Sequence, residues 1–310
     1  MHYKAFDNVS DKRFSIVAKS RYFFIFSIII TLLGIVTLLY HGLNYGVDFK
    51  AGSSVDISFK KDVSGQKAQI EQFLKDNDFG TPGMTFGAKR VTLRFDDVLT
   101  DVKENTLKQG IMDKFDKGAS MEVNTVDVEI AKELQGNALK AVLVASIGIM
   151  IYVSIRFEWR FAVAAIVALL HDAFIVISLF SIFKLEVNLP FIVAVLTIVG
   201  YSINDTIVIF DRVRENLRFA KLKTHEDVAN VVNASIWQTM SRSINTVMTV
   251  LFATICLLIF GSESIRMFSL AVLFGLISGA YSSIFIASPL WLALKSKQKP
   301  KPTAKSSAAS

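Results

Sequence analysis

The stretch VGYSINDTIVIFDRVREN, residues 199–216, places an acid inside an apolar run. Asn204 and Asp205 lie side by side in a segment that is otherwise long and apolar enough to enter a membrane. A carboxylate is costly to transfer into hydrocarbon, and an acid at that depth usually serves a function or is paired with another group. The rest of the sequence must therefore supply a partner for this acid.

A later apolar run carries a candidate partner. Arg242, Asn245 and Thr246 recur at spacings of three and four residues, so they share one face of a helix. Asp205 can contact Arg242 if the two helices pack together. Desolvation favours the neutral form of an acid, whereas a nearby guanidinium favours the charged form, so a small movement would load or release a proton. We predict that Asp205 and Arg242 face each other across two packed helices, with Asn204, Asn245, Thr246 and Asp172 as the supporting polar residues.

Two other roles are open for these residues. Asn, Ser and Thr often join membrane helices by hydrogen bonds alone. Asp172, in the segment LLHDA, could instead pair with Asp205 as the dyad of an intramembrane aspartyl protease. Helix counting places Asp172 about 16 Å and Asp205 about 9 Å from the same membrane face, which matches such a dyad poorly. Loss of activity in Asp205→Asn but not in Asp172→Asn, with no peptide cleavage by the purified protein, would separate these readings.

The composition is that of a membrane protein. The 310-residue chain is 52% hydrophobic and contains 25 Phe, and its mean hydropathy is +0.45. Six runs are long enough to span about 30 Å of hydrocarbon as helices. They cover residues 22–40, 138–155, 161–183, 189–210, 243–260 and 267–294. The sequence thus predicts an all-α six-helix membrane bundle.

The distribution of Lys and Arg predicts the orientation of this bundle, because cytoplasmic flanks retain positive charge. With the N-terminus inside, the inner segments carry 18 Lys and Arg and the short outer loops carry 2. Both termini are therefore expected in the cytoplasm. The predicted cytoplasmic segments are the N-terminal residues 1–21, a loop at 211–242 and a disordered basic tail at 295–310. Within the loop, Thr224 and Asp227 resemble a capping box that opens an amphipathic helix leading into the fifth apolar run. Helix 22–40 is expected to be a retained signal anchor.

Residues 41–137 are expected to form an extracytoplasmic α+β domain. Strand-like SSVDISF, RVTLRF and SMEVNTVDVEI alternate with two amphipathic helical stretches. This β-α-β-α-β order predicts a small ferredoxin-like sandwich. The single cysteine of the chain, Cys256, lies in the fifth apolar run, so the domain must fold without a disulfide.

Several function classes are disfavoured by the sequence. It contains no Walker phosphate loop, Gly-x-Gly-x-x-Gly fingerprint, His-Glu-x-x-His helix or cysteine cluster. Enzymatic activity, a cofactor and a metal site are therefore not expected. The formal net charge of +7 flanks the apolar runs instead of forming one basic face, which argues against nucleic-acid binding.

Several motifs resemble those of the SecD/SecF family, and within it the SecF subunits. They are GYSINDTIVIFDRVREN, SIWQTMSRSINTVMT, LLHDA, GLISGAYSSIFIASPL and GVDFKAGS. The resemblance runs from the first apolar run to the sixth. Ala51 stands where the family usually has Gly, which argues against a positive-φ turn at that residue. Ser53 replaces a usual Thr and retains the hydroxyl.

The resemblance implies half of a resistance-nodulation-division type transporter in the bacterial plasma (inner) membrane. Its partners would be a SecD-like subunit, the SecYEG channel, SecA, exported preproteins and membrane lipids. Such a complex is expected to use the proton gradient for late preprotein export, with Asp205 and Arg242 relaying protons. A half-size exporter of lipids or small molecules on the same fold is the alternative. It would need a substrate cleft, and no aromatic-lined pocket motif is present in the sequence.

Overall fold

The computed structural model describes residues 14–220, 222 and 224–296. Within these residues, six helices are long and apolar enough to cross a membrane. Most of the predicted N-terminal segment 1–21 and of the predicted tail 295–310 lies outside the described residues.

The chain enters an α+β domain directly after its first apolar helix. Helix α1 spans Ser20–His41. Strand β1 (Asn44–Tyr45) and the one-turn helix α2 (Val47–Lys50) follow. The domain itself contains β2 (Gly52–Ser58), α3 (Lys67–Asp76), β3 (Gly83–Phe86), β4 (Arg90–Phe95), α4 (Asp101–Lys114) and β5 (Ser120–Val126).

The sheet of this domain is antiparallel and has the strand order β3-β4-β2-β5. Its central strands bury Val55, Ile57, Val91 and Leu93 against α3 and α4, so one side of the sheet is the core of the domain. The three strands predicted from sequence are present. The prediction missed β3, because GMTF has only four residues, too few for its alternation to stand out. The stretch after Val126 is also not strand, since α5 begins at Val128.

The remaining apolar helices are longer than their apolar runs. They are α5 (Val128–Arg156), α6 (Trp159–Ile182), α7 (Leu189–Phe219) and α8 (His225–Phe260), and β6 (Glu186–Val187) lies between α6 and α7. The segment 211–242 is mostly helical. Its first part continues α7 beyond the predicted end, whereas the predicted capping box of Thr224 and Asp227 is present and starts α8.

The last apolar helix is interrupted by a π-helical turn within the bundle. Helix α9 (Glu263–Ser282) passes through a π-helical turn, Ser283–Ala287, into α10 (Ser288–Ser296). Buried residues make up 44% of the apolar stretch of both α6 and α7 and 61% of that of the last helix, but only 6% to 11% for α1, α5 and α8. Helices α6, α7 and α9 with α10 therefore form the centre, and the other three lie at the periphery.

The α+β domain is joined to the bundle at the end where α6 turns into α7. Strand β1 pairs in parallel with β6, and the backbone of Leu189 donates to Asp48 Oδ2 at 2.8 Å. Arg94 of β4 forms an ion pair with Glu186 of β6 and donates to Asn44 Oδ1 at 3.0 Å. The segment between α1 and β2 thus connects the sheet to the α6–α7 turn, and we call this contact region the joint.

The turn into β2 uses two successive residues with positive φ. Ala51 has φ 70° and ψ 171°, so the expectation that residue 51 would not adopt a positive-φ turn is wrong. Gly52 has φ 110°, and a Cβ there would clash with the backbone oxygen of Phe95. The hydroxyl of Ser53 bonds the Thr125 hydroxyl at 2.7 Å and accepts from Leu99 N at 2.8 Å, which holds the turn in place.

We predict that substitution lowers the stability of the protein strongly at Gly52 and changes it little at Ala51. Gly52→Ala should lower the free energy of unfolding by more than about 3 kcal/mol, because it adds backbone strain and a backbone clash. Ala51→Gly relieves about 1–3 kcal/mol of strain but loses a buried methyl and frees the unfolded chain, so it should stay within about 1 kcal/mol of wild type. The melting temperature of the purified protein measures the effect of each substitution. Equal melting temperatures for the two variants would contradict this account of the turn.

The Arg94–Glu186 pair should make the joint sensitive to pH. Burial raises the pKa of Glu186 above 4.5, Arg94 opposes that rise, and Asp56 and Asp48 add to it. An acid whose pKa is raised on folding binds its proton more tightly in the folded state, so stability rises as pH falls towards the raised pKa. Glu186→Gln should flatten the melting temperature across the window just above pH 4.5, relative to wild type.

Glu122→Gln is the matched control for the Glu186 variant, because it removes an exposed carboxylate from the same domain. It should keep the wild-type pH profile. An unchanged profile in Glu186→Gln would remove Glu186 from the pH response.

Candidate functional site in the helix bundle

Asp205 lies on the inner side of α7, with 6% of its surface exposed. No hydrogen bond to its carboxylate is present among the described residues. It lines a cavity of about 10 Å³ with Ser202 of the same helix and Thr246 of α8. That volume corresponds to about one water molecule. Asp205 is therefore a buried acid that faces a small, largely apolar cavity instead of a fixed partner.

Arg242 acts on Asp205 from α8 by charge and not by direct contact. Its attraction favours the charged form of the acid. Within the part of the chain that is described, neither a hydrogen bond nor an ion pair joins the two side chains. Arg242 is exposed on the bundle surface, as are Asn204 and Asn245. The expected direct contact between Asp205 and Arg242 is thus replaced in this structure by a longer-range electrostatic attraction.

Asp172 of α6 is held far more tightly than Asp205. Only 1% of its surface is exposed. Ser202 of α7 and Ser282 of α9 each donate to its Oδ2 at 2.6 Å, and Ser278 of α9 donates to its Oδ1 at 2.7 Å. His171 Nδ1 lies 3.2 Å from Oδ1. We call these five residues the Asp172 cluster, and it joins three helices at one carboxylate.

The two acids do not form a protease dyad in this structure. A dyad requires two carboxyl groups that share a proton. The Asp172 carboxylate is instead surrounded by serine hydroxyls, and no hydrogen bond between Asp172 and Asp205 occurs within the described residues. The geometry therefore gives no support to the aspartyl-protease alternative.

Glycines and helix caps set the positions of these side chains. Helix α7 begins at Asn188, whose side chain accepts from Phe191 N at 3.1 Å. Gly275 and Gly279 of α9 face α7, and a Cβ at Gly275 would clash with Ile198. Small residues allow two helix backbones to approach closely. This approach brings Ser278 and Ser282 within reach of Asp172.

The hydroxyl groups continue into the π-helical turn. Thr206 Oγ1 and Ser283 Oγ share a hydrogen bond of 2.8 Å between α7 and the turn. Ser288 Oγ donates to the backbone oxygen of Ser283 at 3.1 Å, which satisfies a carbonyl in the altered winding. π-helical turns occur often at functional sites. The centre of the bundle is thus polar along α7 and the last helix.

The structure brings together only part of the predicted site. Asp205 and Thr246 share the cavity, and Arg242 acts on it by charge, whereas Asn204 and Asn245 remain on the exposed face. Asp172 belongs to its own cluster. Sequence reasoning missed the serines, although Ser278 and Ser282 stand four residues apart in the GLISGAYSS segment and so share a helix face.

Two family descriptions match the chain. Residues 106–297 match "Protein export membrane protein SecD/SecF, C-terminal". Residues 41–63, which include α2 and β2 of the joint, match "SecD/SecF GG Motif". Together these matches include both membrane acids and the segment that ties the α+β domain to the bundle.

Curated relatives and solved structures are similar over nearly the whole chain. Protein translocase subunit SecF of Alicyclobacillus acidocaldarius is 45% identical, over 94% of this chain and 96% of that protein. Protein translocase subunit SecDF of Bacillus subtilis is also 45% identical over 94% of this chain, which spans 40% of that longer protein. The crystal structure of the translocon-associated SecDF of Thermus thermophilus superposes with a TM-score of 0.82 at 33% identity, over 93% of this chain and 40% of that chain.

Proposed function

Because the chain belongs to the SecD/SecF family of protein-export membrane proteins, we propose that it is an accessory subunit of Sec-dependent protein translocation. It uses the proton gradient, together with a SecD-like partner, to promote late export of preproteins across the bacterial plasma membrane. The names of its relatives support the translocation role. It acts as a transport subunit and not as an enzyme, with protons as the coupling ion and without a cofactor.

The observation that carries the proposal is the environment of Asp205. A buried acid without a hydrogen-bond partner among the described residues, beside a cavity and under the influence of Arg242, can change its protonation state with little rearrangement. One proton that crosses about 180 mV releases on the order of 4 kcal/mol. That energy is enough to bias a movement of the α+β domain relative to the bundle.

The exposed polar residues of the bundle favour an obligate partner. Arg242, Asn204 and Asn245 lie on the surface of an otherwise apolar bundle, where lipid would leave them unsatisfied. A pseudo-symmetric partner half would cover them. The SecDF relative joins such a sequence to further chain, which supports a SecD-like partner. The SecYEG channel, SecA and exported preproteins complete the proposed assembly.

We also propose a ferredoxin-like α+β domain outside the membrane and cytoplasmic termini. The β-α-β-β-α-β order and the antiparallel sheet support this fold. The domain contacts the end of the bundle where α6 turns into α7. Near the N-terminus, the backbone of Phe14 accepts from Trp237 at 3.2 Å, close to the opposite end, where α8 begins. The excess of Lys and Arg in the segments assigned to the cytoplasm supports this orientation in the membrane.

We predict that Asp205→Asn abolishes gradient-driven export but not assembly. Asn is nearly isosteric with Asp and forms hydrogen bonds, yet it does not exchange a proton at physiological pH. Arg242→Lys should retain partial function, because it keeps the charge and loses the planar guanidinium. The measurement is gradient-driven completion of preprotein export in vesicles reconstituted with the SecD-like partner and channel, at constant SecA ATPase activity.

Asp211→Asn is the matched control for Asp205→Asn. It makes the same chemical change on the same helix, at a half-exposed acid whose Oδ1 lies 3.3 Å from Arg156. It should export like wild type. If a well-assembled Asp205→Asn complex keeps wild-type gradient dependence, Asp205 has no part in coupling, and the Asn-Asp pair only packs helices.

The proposed orientation predicts which engineered cysteines face outwards. In a Cys256→Ala background, Lys75→Cys on α3 should react with a membrane-impermeant reagent in intact cells, and Glu226→Cys on α8 should not. Both positions are exposed in the structure. Detergent should make Glu226→Cys reactive, which shows that the membrane had protected it. Labelling of Glu226→Cys in intact cells would reverse the orientation.

A further inference from the structure

The Asp172 cluster uses an acid where simple helix packing would not need one. Serine hydroxyls alone join membrane helices at about 0.6–2 kcal/mol per contact. A carboxylate at membrane depth is much more expensive and is retained mainly where its charge is used. Here three hydroxyl donors and the adjacent His171 surround one buried carboxylate. The cluster is therefore built to hold a charge, or a proton, at the centre of the bundle.

Ser202 links this cluster to the Asp205 cavity. Its hydroxyl lies 2.6 Å from Asp172 Oδ2, and the same residue lines the cavity together with Asp205. Ser202 and Asp205 are three residues apart on α7, so they share a helix face. The cavity has room for about one water, and Thr246 and Tyr201 belong to its largely apolar lining. A water in this cavity, together with the Ser202 hydroxyl, would connect the two acids.

We propose that Asp172 is a second proton-binding residue of the relay, reached from Asp205 through the Ser202 hydroxyl. This inference rests on the proton coupling proposed above. It differs from the expectation, drawn from sequence alone, that Asp172 only supports the polar stripe.

The transfer balances without any further reactant. Protonated Asp205 gives its proton to a cavity water, and that water passes a proton to Ser202 Oγ. Ser202 in turn gives its own hydroxyl proton to Asp172 Oδ2. Asp205 ends as a carboxylate that Arg242 stabilises, and Asp172 ends as a neutral acid. His171 is the titratable group that lies directly against Asp172.

Protonation of Asp172 would reverse one hydrogen bond of the cluster. An ionised carboxylate only accepts hydrogen bonds, whereas a protonated one also donates. With the proton on Oδ2, the Ser202 hydroxyl would accept from the acid instead of donating to it, because a serine hydroxyl can do both. The proton on Asp172 thus changes the direction of a hydrogen bond between α6 and α7, and its departure restores the original direction.

The cluster contains its own matched controls. Ser202→Ala and Ser278→Ala each remove one hydroxyl donor from Asp172, yet only Ser202 lines the Asp205 cavity. In the reconstituted complex, we expect Ser202→Ala to lower the rate of gradient-driven export about tenfold or more, as for loss of a proton-transfer group. Ser278→Ala also removes a donor from Asp172, so it should lower the melting temperature about as much as Ser202→Ala, but it should lower the export rate less. Asp172→Asn should assemble and lose gradient dependence.

A merely structural cluster would behave differently. It would give Ser202→Ala and Ser278→Ala similar losses of melting temperature and similar export rates, and it would leave the solvent deuterium isotope effect unchanged. The relay predicts a changed isotope effect in Ser202→Ala alone. Wild-type gradient dependence in Asp172→Asn, or equal export by the two serine variants, would overturn the proposal.

Asp205→Asn, measured in the same assay, distinguishes a failure of the Asp172 extension from a failure of the proposed function. If Asp205→Asn loses coupling while Asp172→Asn and Ser202→Ala keep it, the relay ends at Asp205 and only the extension is wrong. If Asp205→Asn keeps coupling, the proposed function itself fails and the extension fails with it.

Discussion

The hydrogen bonds to the Asp172 carboxylate fix the centre of the bundle. An acid at this depth has to be compensated, and three serine hydroxyls from two neighbouring helices do so at 2.6–2.7 Å. They arrive only because Gly275 and Gly279 let α9 approach α7 closely. Loss of one such hydroxyl would leave a costly lone pair in a site that has no solvent. The rotation of α7 about its axis, and hence the direction of Asp205, depends on this contact.

A second constraint acts at the joint between bundle and domain. The segment from Asn44 to Lys50 pairs with β6 on one side and leads directly into the central strand β2 on the other. Buried Asp48 accepts from both Leu189 N and Asn124 Nδ2, so the first turn of α7 and the edge strand β5 are tied to one carboxylate. A displacement of α7 is therefore transmitted to the sheet without a flexible linker between them.

Much of this fold could be predicted from the sequence, and the missing parts have physical causes. The apolar runs predicted the six helices, because length and hydropathy report directly on the membrane. The end of α7 was misjudged, because polar residues continue that helix beyond its apolar run. The four residues of β3 are too few for their alternation to be recognised. Ala51 was misjudged because the surrounding structure imposes a positive φ that the residue alone disfavours.

The site was predicted less completely than the fold, because its chemistry depends on distances between helices. Asp205 and Arg242 stand out in sequence since each is ionisable and next to apolar residues. Serines do not stand out, because small polar residues are common in packed membrane helices. Their role became visible only when α6, α7 and α9 were placed together around Asp172.

The two acids occupy environments that suit different steps of one process. Asp205 lies near the exposed face that carries Arg242 and Asn245, where a partner subunit would pack, so its proton exchange would respond to that interface. Asp172 lies inside, and its protonation would respond to the packing of three helices of this chain. A group open to exchange and a group coupled to packing are the two elements that a proton-driven movement needs, since a proton changes a conformation only where the two states bind it differently. Ser202, which contacts both environments from one helix, is the residue through which they communicate.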